Sequence, residues 1–196
     1  MRKATERFLV EGFYKISMDE LSSDLKMSKK TIYEIFPSKR ELVRETTLLF
    51  LSTNADQFTA VLKTELNSIE KLYMFMEKLA NTASAVSNNF LRDIETHMPD
   101  LWQEVDSFRS EKLKTLMREI ITQGRKEKVF KEYPDDVLID FFVTSVTSMV
   151  TPRKLLQHET SLKKMIKMTM EILIKGITTD KGLEIFKKFK ESSQYE

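Results

Sequence analysis

Ser17-Met18-Asp19-Glu20-Leu21-Ser22-Ser23-Asp24-Leu25-Lys26-Met27-Ser28-Lys29-Lys30-Thr31-Ile32-Tyr33-Glu34-Ile35-Phe36-Pro37-Ser38-Lys39-Arg40-Glu41 is the stretch whose reading decides the fold. It opens with a capping box, Ser17 with Glu20 three residues on, in which the serine oxygen takes an orphan helix N–H and the glutamate reaches back. Met18, Leu21 and Leu25 then follow at i, i+3 and i+7, the spacing of one helix face. After the short turn Lys26-Met27, Ser28 caps a third helix from Lys29 to Phe36. Pro37 ends it, because the residue before a proline is pushed out of the α region. Ser38 and Glu41 form a second capping box, opening a long helix through about Leu62. Upstream, residues 2–11 read as a first helix with Phe8 and Leu9 on one side, and Gly12 stands where a helix end favours a left-handed residue.

The third helix divides into two faces. Ile32, Ile35 and Phe36, with Met27 just before, are expected to point inward. Lys29, Lys30, Tyr33 and Glu34 take the other side, with Thr31 near the N-terminal end. Two short helices joined by a tight turn, the second short and basic, have the geometry of a helix-turn-helix. The second helix of that motif enters the major groove, a channel about 12 Å wide that admits one α-helix. The capped helix starts at Ser17 and Ser38 offer N–H groups to phosphates. Charge agrees modestly: the chain carries +2 overall, and Lys26 to Arg44 hold six basic residues against Glu34 and Glu41. An ordinary three-helix packing with a charged surface remains the competing reading of the pattern alone.

The 196 residues are long enough for one generous domain or two small ones. Four glycines and four prolines argue against a turn-rich β fold, and Gly12, Gly124, Gly176 and Gly182 form no phosphate-binding loop. The absence of cysteine removes thiolate nucleophiles, disulfides and cysteine-based zinc sites. The longest apolar run, Leu72 to Met76, is far short of the roughly 20 residues that a membrane span needs. Histidine occurs only at 97 and 158. His158-Glu159 starts like a zinc-protease motif, but Leu162 stands where its second histidine belongs. No catalytic role, cofactor, metal or membrane is therefore expected, and the cytoplasm is the expected location.

Beyond the first helices the chain reads as a helical bundle, with helices expected near 68–87, 89–97, 100–126, 134–150, 162–177 and 183–190. Those near 135–150 and 162–177 are apolar on more than one side. Val137, Leu138, Phe141, Phe142, Val146, Met149 and Val150 wrap the first, and Met165, Ile166, Met168, Met170, Ile172, Leu173 and Ile174 the second. A surface helix needs one apolar stripe only. Burial against a second subunit is the expectation, with a large core as the alternative. Phe141, Ser145, Ser148, Met149, Met165, Met168 and Ile172 are the expected dimer contacts. The segment Ile185 to Lys190 could touch an anionic surface or a partner, or cover the bundle as a last helix.

Gly12 to Leu21, Met27 to Tyr33 and Phe36 to Val43, taken in this order over residues 4–50, resemble the N-terminal domain of the TetR/AcrR family of transcriptional regulators, which are usually repressors. The resemblance implies an all-α chain: a three-helix helix-turn-helix domain over residues 1–47, joined to a larger helical ligand-binding and dimerisation domain over 48–196. It implies that Ser17 contacts a phosphate, that Ser28 caps the groove helix, and that Lys29, Lys30 and Thr31 face the groove. Tyr33 would meet a phosphate or a base methyl, and Lys39 a phosphate of the flanking backbone. Three positions depart from the family. Lys26 replaces a usual turn glycine, implying a different or strained turn. Lys30 replaces a frequent small residue, and Ile35 stands where a Tyr or His often touches phosphate. The first helix is also short at its start, as for a chain truncated before Met1 or a domain lacking one turn.

The partners implied are double-stranded DNA with a pseudo-palindromic operator, a second copy of the chain, and a small-molecule effector whose binding moves the two heads. Tyr73, Phe90, His97, Met98, Trp102, Phe108, Phe141 and Phe142 are the expected pocket residues, and large polarisable side chains suit an apolar ligand. For each of them a core position is the competing reading. The function expected is that of a repressor released from its operator by a small, largely apolar effector. The alternative is a helical interaction protein answering to a protein partner.

Overall fold

In the computed structural model, which describes residues 1–149, 151 and 161–192, the secondary structure is helical apart from an isolated bridge between Phe130 and Thr178. The helices are α1 (Arg2–Glu11), α2 (Met18–Leu25), α3 (Lys29–Ile35), α4 (Lys39–Leu62), α5 (Ser68–Ser84), α6 (Asn88–His97), α7 (Pro99–Glu127), α8 (Asp135–Met149), α9 (Leu162–Ile177) and α10 (Asp180–Ser192). Pro99 occupies the first helical position of α7, where its missing N–H is no loss. The last helix begins three residues before the expected Leu183, at Asp180. Val150, Pro152, His158 and Glu159 lie outside the described residues.

The described residues pack as two compact units. The first, called the head below, combines Met1–Asn54 with Ala85–Ser107. The second, the bundle, combines Ala55–Ser84 with Phe108 onward. A boundary after residue 47 follows the sequence motif; the packing instead draws α6 and the start of α7 into the head.

The head forms because α2, α3 and α6 are each capped by a serine and every short helix sinks apolar side chains into a shared core. Ala4 and Phe8 of α1, Leu21 of α2, Ile32 of α3, Leu42 and Val43 of α4, and Phe90, Ile94 and Leu101 from α6 and α7 build that core. Phe8, Phe13 and Phe90 meet edge to face, with ring centroids 6.5 and 5.9 Å apart, a preferred aromatic geometry. Both halves of the Ser17–Glu20 capping box are made. The Ser38 hydroxyl accepts from the Glu41 amide at 3.1 Å. Lys26 ends α2 in the left-handed region, φ 53° and ψ 41°, its N–H reaching back to the Ser22 and Ser23 carbonyls. The turn is thus strained in the way a lysine in place of glycine implies.

Two inward expectations for α3 fail. Ile35 is 58% exposed and Met27 37%, whereas Ile32 is 2% exposed and Phe36 only partly buried. With seven residues, α3 has room for one core-facing turn, and Ile32 takes it; Ile35 falls on the outer flank.

The bundle buries a large apolar core built from Ile69, Leu72, Phe75 and Met76 of α5, Met117, Ile120 and Ile121 of α7, Phe142 and Val146 of α8, Met170 and Ile174 of α9, and Phe186 of α10. A polar tie fixes one end. The buried Lys71 ammonium donates to the Leu62 carbonyl at 3.0 Å and to Gln123 Oε1 at 2.9 Å. Glu127 accepts from the Ser68 amide and hydroxyl and from Gln123 Nε2. Near the Phe130–Thr178 bridge, a Cβ on Gly182 would lie 2.4 Å from the Val129 carbonyl oxygen, so the chain there passes closer than any side chain allows.

Candidate nucleic-acid interface

The surface of interest is built on α2, α3 and the start of α4. Ser28 caps α3 by accepting from the Thr31 amide at 3.0 Å, and its hydroxyl also bonds the Thr31 hydroxyl at 2.8 Å. Lys29 reaches back to Asp19 on α2, with Nζ and Oδ1 2.5 Å apart, and so clips α3 onto its neighbour. Of the expected groove residues, Lys29 and Thr31 are therefore held within the motif. Lys30 and Tyr33 stand exposed.

Several cations of the basic stretch turn out to be partnered. Arg40 binds Asp100 and donates to the His97 carbonyl at 3.1 Å. Arg44 straddles both Glu104 oxygens at 2.8 and 3.0 Å. Lys39 donates to the Tyr14 carbonyl at 3.0 Å, and burial lowers its pKa, opposed by the nearby Asp93 and Glu20 carboxylates. The +4 counted along the sequence is thus largely spent inside the head. Among the described residues no ion pair engages Lys26 or Lys30. Ser17 is occupied by Glu20, whose carboxyl the Ser17 amide and hydroxyl hold below its ordinary value.

The loop that precedes α2 is positioned by a residue far away in sequence. The N–H groups of Phe13 and Tyr14 both donate to Asp93 Oδ2 on α6, each at 2.7 Å. Gly12, at φ +82°, makes the approach possible: a Cβ there would sit 2.6 Å from that oxygen. The Tyr14 ring stacks on His97 at 3.8 Å and 7°. The Ser87 amide at the start of α6 donates to the Leu9 carbonyl at 2.8 Å. Residue type gave Asp93 no prominence, since a carboxylate on a helix is usually solvated. A glycine followed by two free amides is a signal for an acceptor, but it does not say from where.

The eight expected pocket residues separate between the units. Phe90 and Met98 are core residues of the head, Trp102 packs against that core, and His97 is exposed on Tyr14. In the bundle, Tyr73 packs on Phe186 and Phe189, and Phe142 on Phe75. Phe108 is half-buried and Phe141 is 59% exposed. His97 and Met98 do border an open cleft of about 180 Å³ in the head, together with Phe13, Tyr14, Lys39, Arg40 and Val43. A second cleft of about 440 Å³ in the bundle runs along α7 beside Arg118, Thr122 and Lys126.

The expected dimer residues recur at helical spacing along one side of α8 and one side of α9. Phe141, Met168 and Ile172 are exposed, and Ser145, Ser148, Met149 and Met165 are half-buried around them. Val137, 56% exposed, extends the strip. Among the described residues no cluster of three His, Asp or Glu side chains could hold a metal ion, and no helix is long and apolar enough to cross a membrane.

Similarity to known proteins agrees with this geometry. The chain is 21% identical over 177 residues to the uncharacterised HTH-type transcriptional regulator YvaF of Bacillus subtilis strain 168, which covers 90% of this chain and 93% of that protein. A transcriptional regulator of Cytophaga hutchinsonii superposes with a TM-score of 0.75 at 20% identity, over 91% of this chain and 96% of its own. The regulator FadR of Bacillus subtilis in complex with stearoyl-CoA superposes with a TM-score of 0.63 at 15% identity, over 90% and 96%. Residues 1–46 match the model of the bacterial regulatory proteins of the tetR family. Residues 1–46 thus carry a domain of the tetR type, and over nine-tenths of its length the chain shares the fold of solved transcriptional regulators.

Proposed function

We propose that the chain acts as a homodimeric, sequence-specific repressor of transcription that a small, largely apolar effector releases from a pseudo-palindromic operator. The observation that carries this reading is the α2–turn–α3 motif. Ile32 anchors α3 in the head core, so that Lys30 and Tyr33 stand out on a helix of groove-filling size. Ser17, Lys29, Thr31 and Lys39 supply the surrounding polar frame. Their present partners are internal, and on DNA the Lys39 and Ser17 groups would exchange some of these bonds for phosphate oxygens.

Dimerisation is supported by Val137, Phe141, Met168 and Ile172, four large apolar side chains of α8 and α9 that are each more than half exposed. Two-fold symmetry also suits two half-sites one helical turn apart. The effector reading is supported by the aromatic and methionine-rich interior of the bundle and by the acyl-CoA held by the FadR neighbour. The cytoplasm follows from access to DNA.

The test is selection of genomic DNA fragments by the purified full chain at physiological salt, followed by sequencing. The reading expects one imperfect palindrome. Salt-sensitive retention without selectivity would reduce the head to a backbone binder, and no retention would favour a helical interaction protein.

A further inference from the structure

The outward ridge of α3 carries an acid. Ile32, sunk to 2% exposure, fixes the rotation of the helix. At about 100° per residue, positions 30 and 34 each lie about 200° from Ile32, in opposite senses. Lys30 and Glu34 therefore share the ridge that faces away from the core, one turn apart, and both are exposed. Of their polar neighbours, Lys29 is committed to Asp19 and Thr31 to Ser28, while the Tyr33 ring stands exposed beside them. Among the described residues no ion pair engages Glu34.

A carboxylate in this position is costly on DNA unless a base rewards it. It accepts hydrogen bonds and donates none, and it sits beside phosphates. Of the major-groove edges, guanine offers two acceptors, and thymine an acceptor and a methyl group. Adenine offers an amino group with the N7 acceptor next to it, which a carboxylate meets with repulsion. Cytosine offers its N4 amino group without that acceptor. Lys30, four residues away and about 6 Å across the helix surface, is a donor only, and suits the guanine O6 and N7 of the same or an adjacent pair.

We propose that Glu34 is a specificity-determining residue of the groove helix, accepting a hydrogen bond from the N4 amino group of one cytosine in each half-site. The assignment rests on the DNA-binding reading above and adds to it the base that α3 selects. Glu34 also acts by exclusion, since half-sites with only acceptors at that position leave its charge desolvated and unpaired.

The experiment is selection from a pool of randomised duplexes with wild-type protein, Glu34→Gln and Glu34→Ala, each a full chain with an unaltered thermal unfolding profile. The wild type should enrich cytosine at one position of each half-site. Glu34→Gln should move that position to adenine, because a carboxamide pairs with N6 and N7 together. Glu34→Ala should flatten that position alone, while raising affinity for unselected duplex several-fold. Replacing the cytosine should cost the wild type about tenfold, within the usual range for one mismatched pair.

A wild-type palindrome with no cytosine-dependent position overturns the assignment, as does one that both variants leave unchanged; the DNA-binding reading survives either result. If the wild type enriches no sequence at all, both readings fall.

Discussion

The head and the bundle solve stability in different ways. In the head, helices of seven to ten residues are held by caps and by groups reaching across from distant sequence: Ser17 with Glu20, Lys29 with Asp19, and Asp93 with the amides of Phe13 and Tyr14. In the bundle, longer helices bury large side chains in one extended core, with a buried polar tie at Lys71, Gln123 and Glu127 at one end. The difference teaches where each unit is sensitive. The head depends on individual polar atoms, so a single acceptor can reposition a whole loop. The bundle spreads its energy over many contacts, and its exposed apolar strip on α8 and α9 is the place where one residue should matter.

The largest effect is expected on that strip. Phe141→Glu combined with Ile172→Glu places two charges where the dimer contact is proposed. Light scattering should show a monomer, and affinity for a full operator should fall by at least a hundredfold while the helical content stays intact. A variant that remains dimeric would move the interface elsewhere.

Next comes the head's reliance on one acceptor. Asp93→Ala strands two backbone N–H groups that now share its oxygen, a loss of about 1–2 kcal/mol in a partly wetted site. Asp93→Asn keeps an oxygen in place and should recover most of that stability. Chemical denaturation of the three proteins separates the outcomes. Equal losses in both variants would mean that charge, and not the hydrogen bonds, holds the loop.

The polar tie of the bundle carries a pH signature. Burial alone would raise Glu127, but the hydroxyl and amide of Ser68 and the side-chain amide of Gln123 outweigh it, holding the carboxyl below its ordinary 4.5. A depressed folded value adds stability that is complete above about pH 4.5 and is lost as the pH falls through that lowered value. Glu127→Gln should cost about 1 kcal/mol at pH 7 and flatten the loss of stability below pH 4.5. Unfolding curves at pH 7 and at pH 3.5 check both parts.

The smallest effect concerns the turn of the motif. Lys26 holds φ 53°, which costs a residue bearing a Cβ roughly 1 kcal/mol. Lys26→Gly relieves that strain and gives back part of the gain as backbone entropy. A gain of about 0.5 kcal/mol, read as a small rise in Tm, is expected without any change in base preference.

Much of the head was legible because its signals are local. Capping boxes at Ser17 and Ser38, the stop at Pro37 and the periodicity of Met18, Leu21 and Leu25 all act within a few residues. Even the strain at Lys26 could be read from one departure. Ile35 was misread because helical spacing gives two candidate inward positions, and only the length of α3 decides that Ile32 takes the core. Asp93 was invisible for the opposite reason: its partners lie some eighty residues away. The basic stretch looked more available than it is, since Asp100 and Glu104 meet Arg40 and Arg44 only in the folded head. Pocket residues chosen by size and polarisability fell into both units, because a core and a ligand site draw on the same side chains.

The most direct measurement is a fluorescence anisotropy titration, at physiological salt, of the enriched duplex and a scrambled duplex of equal length, with the protein stoichiometry of the complex determined alongside. The account expects two chains per enriched duplex and affinity at least about a thousandfold above the scrambled one. Lys30→Ala should erode that ratio more than it weakens binding to the scrambled duplex. A ratio near one, or a single chain per duplex at saturation, would contradict it.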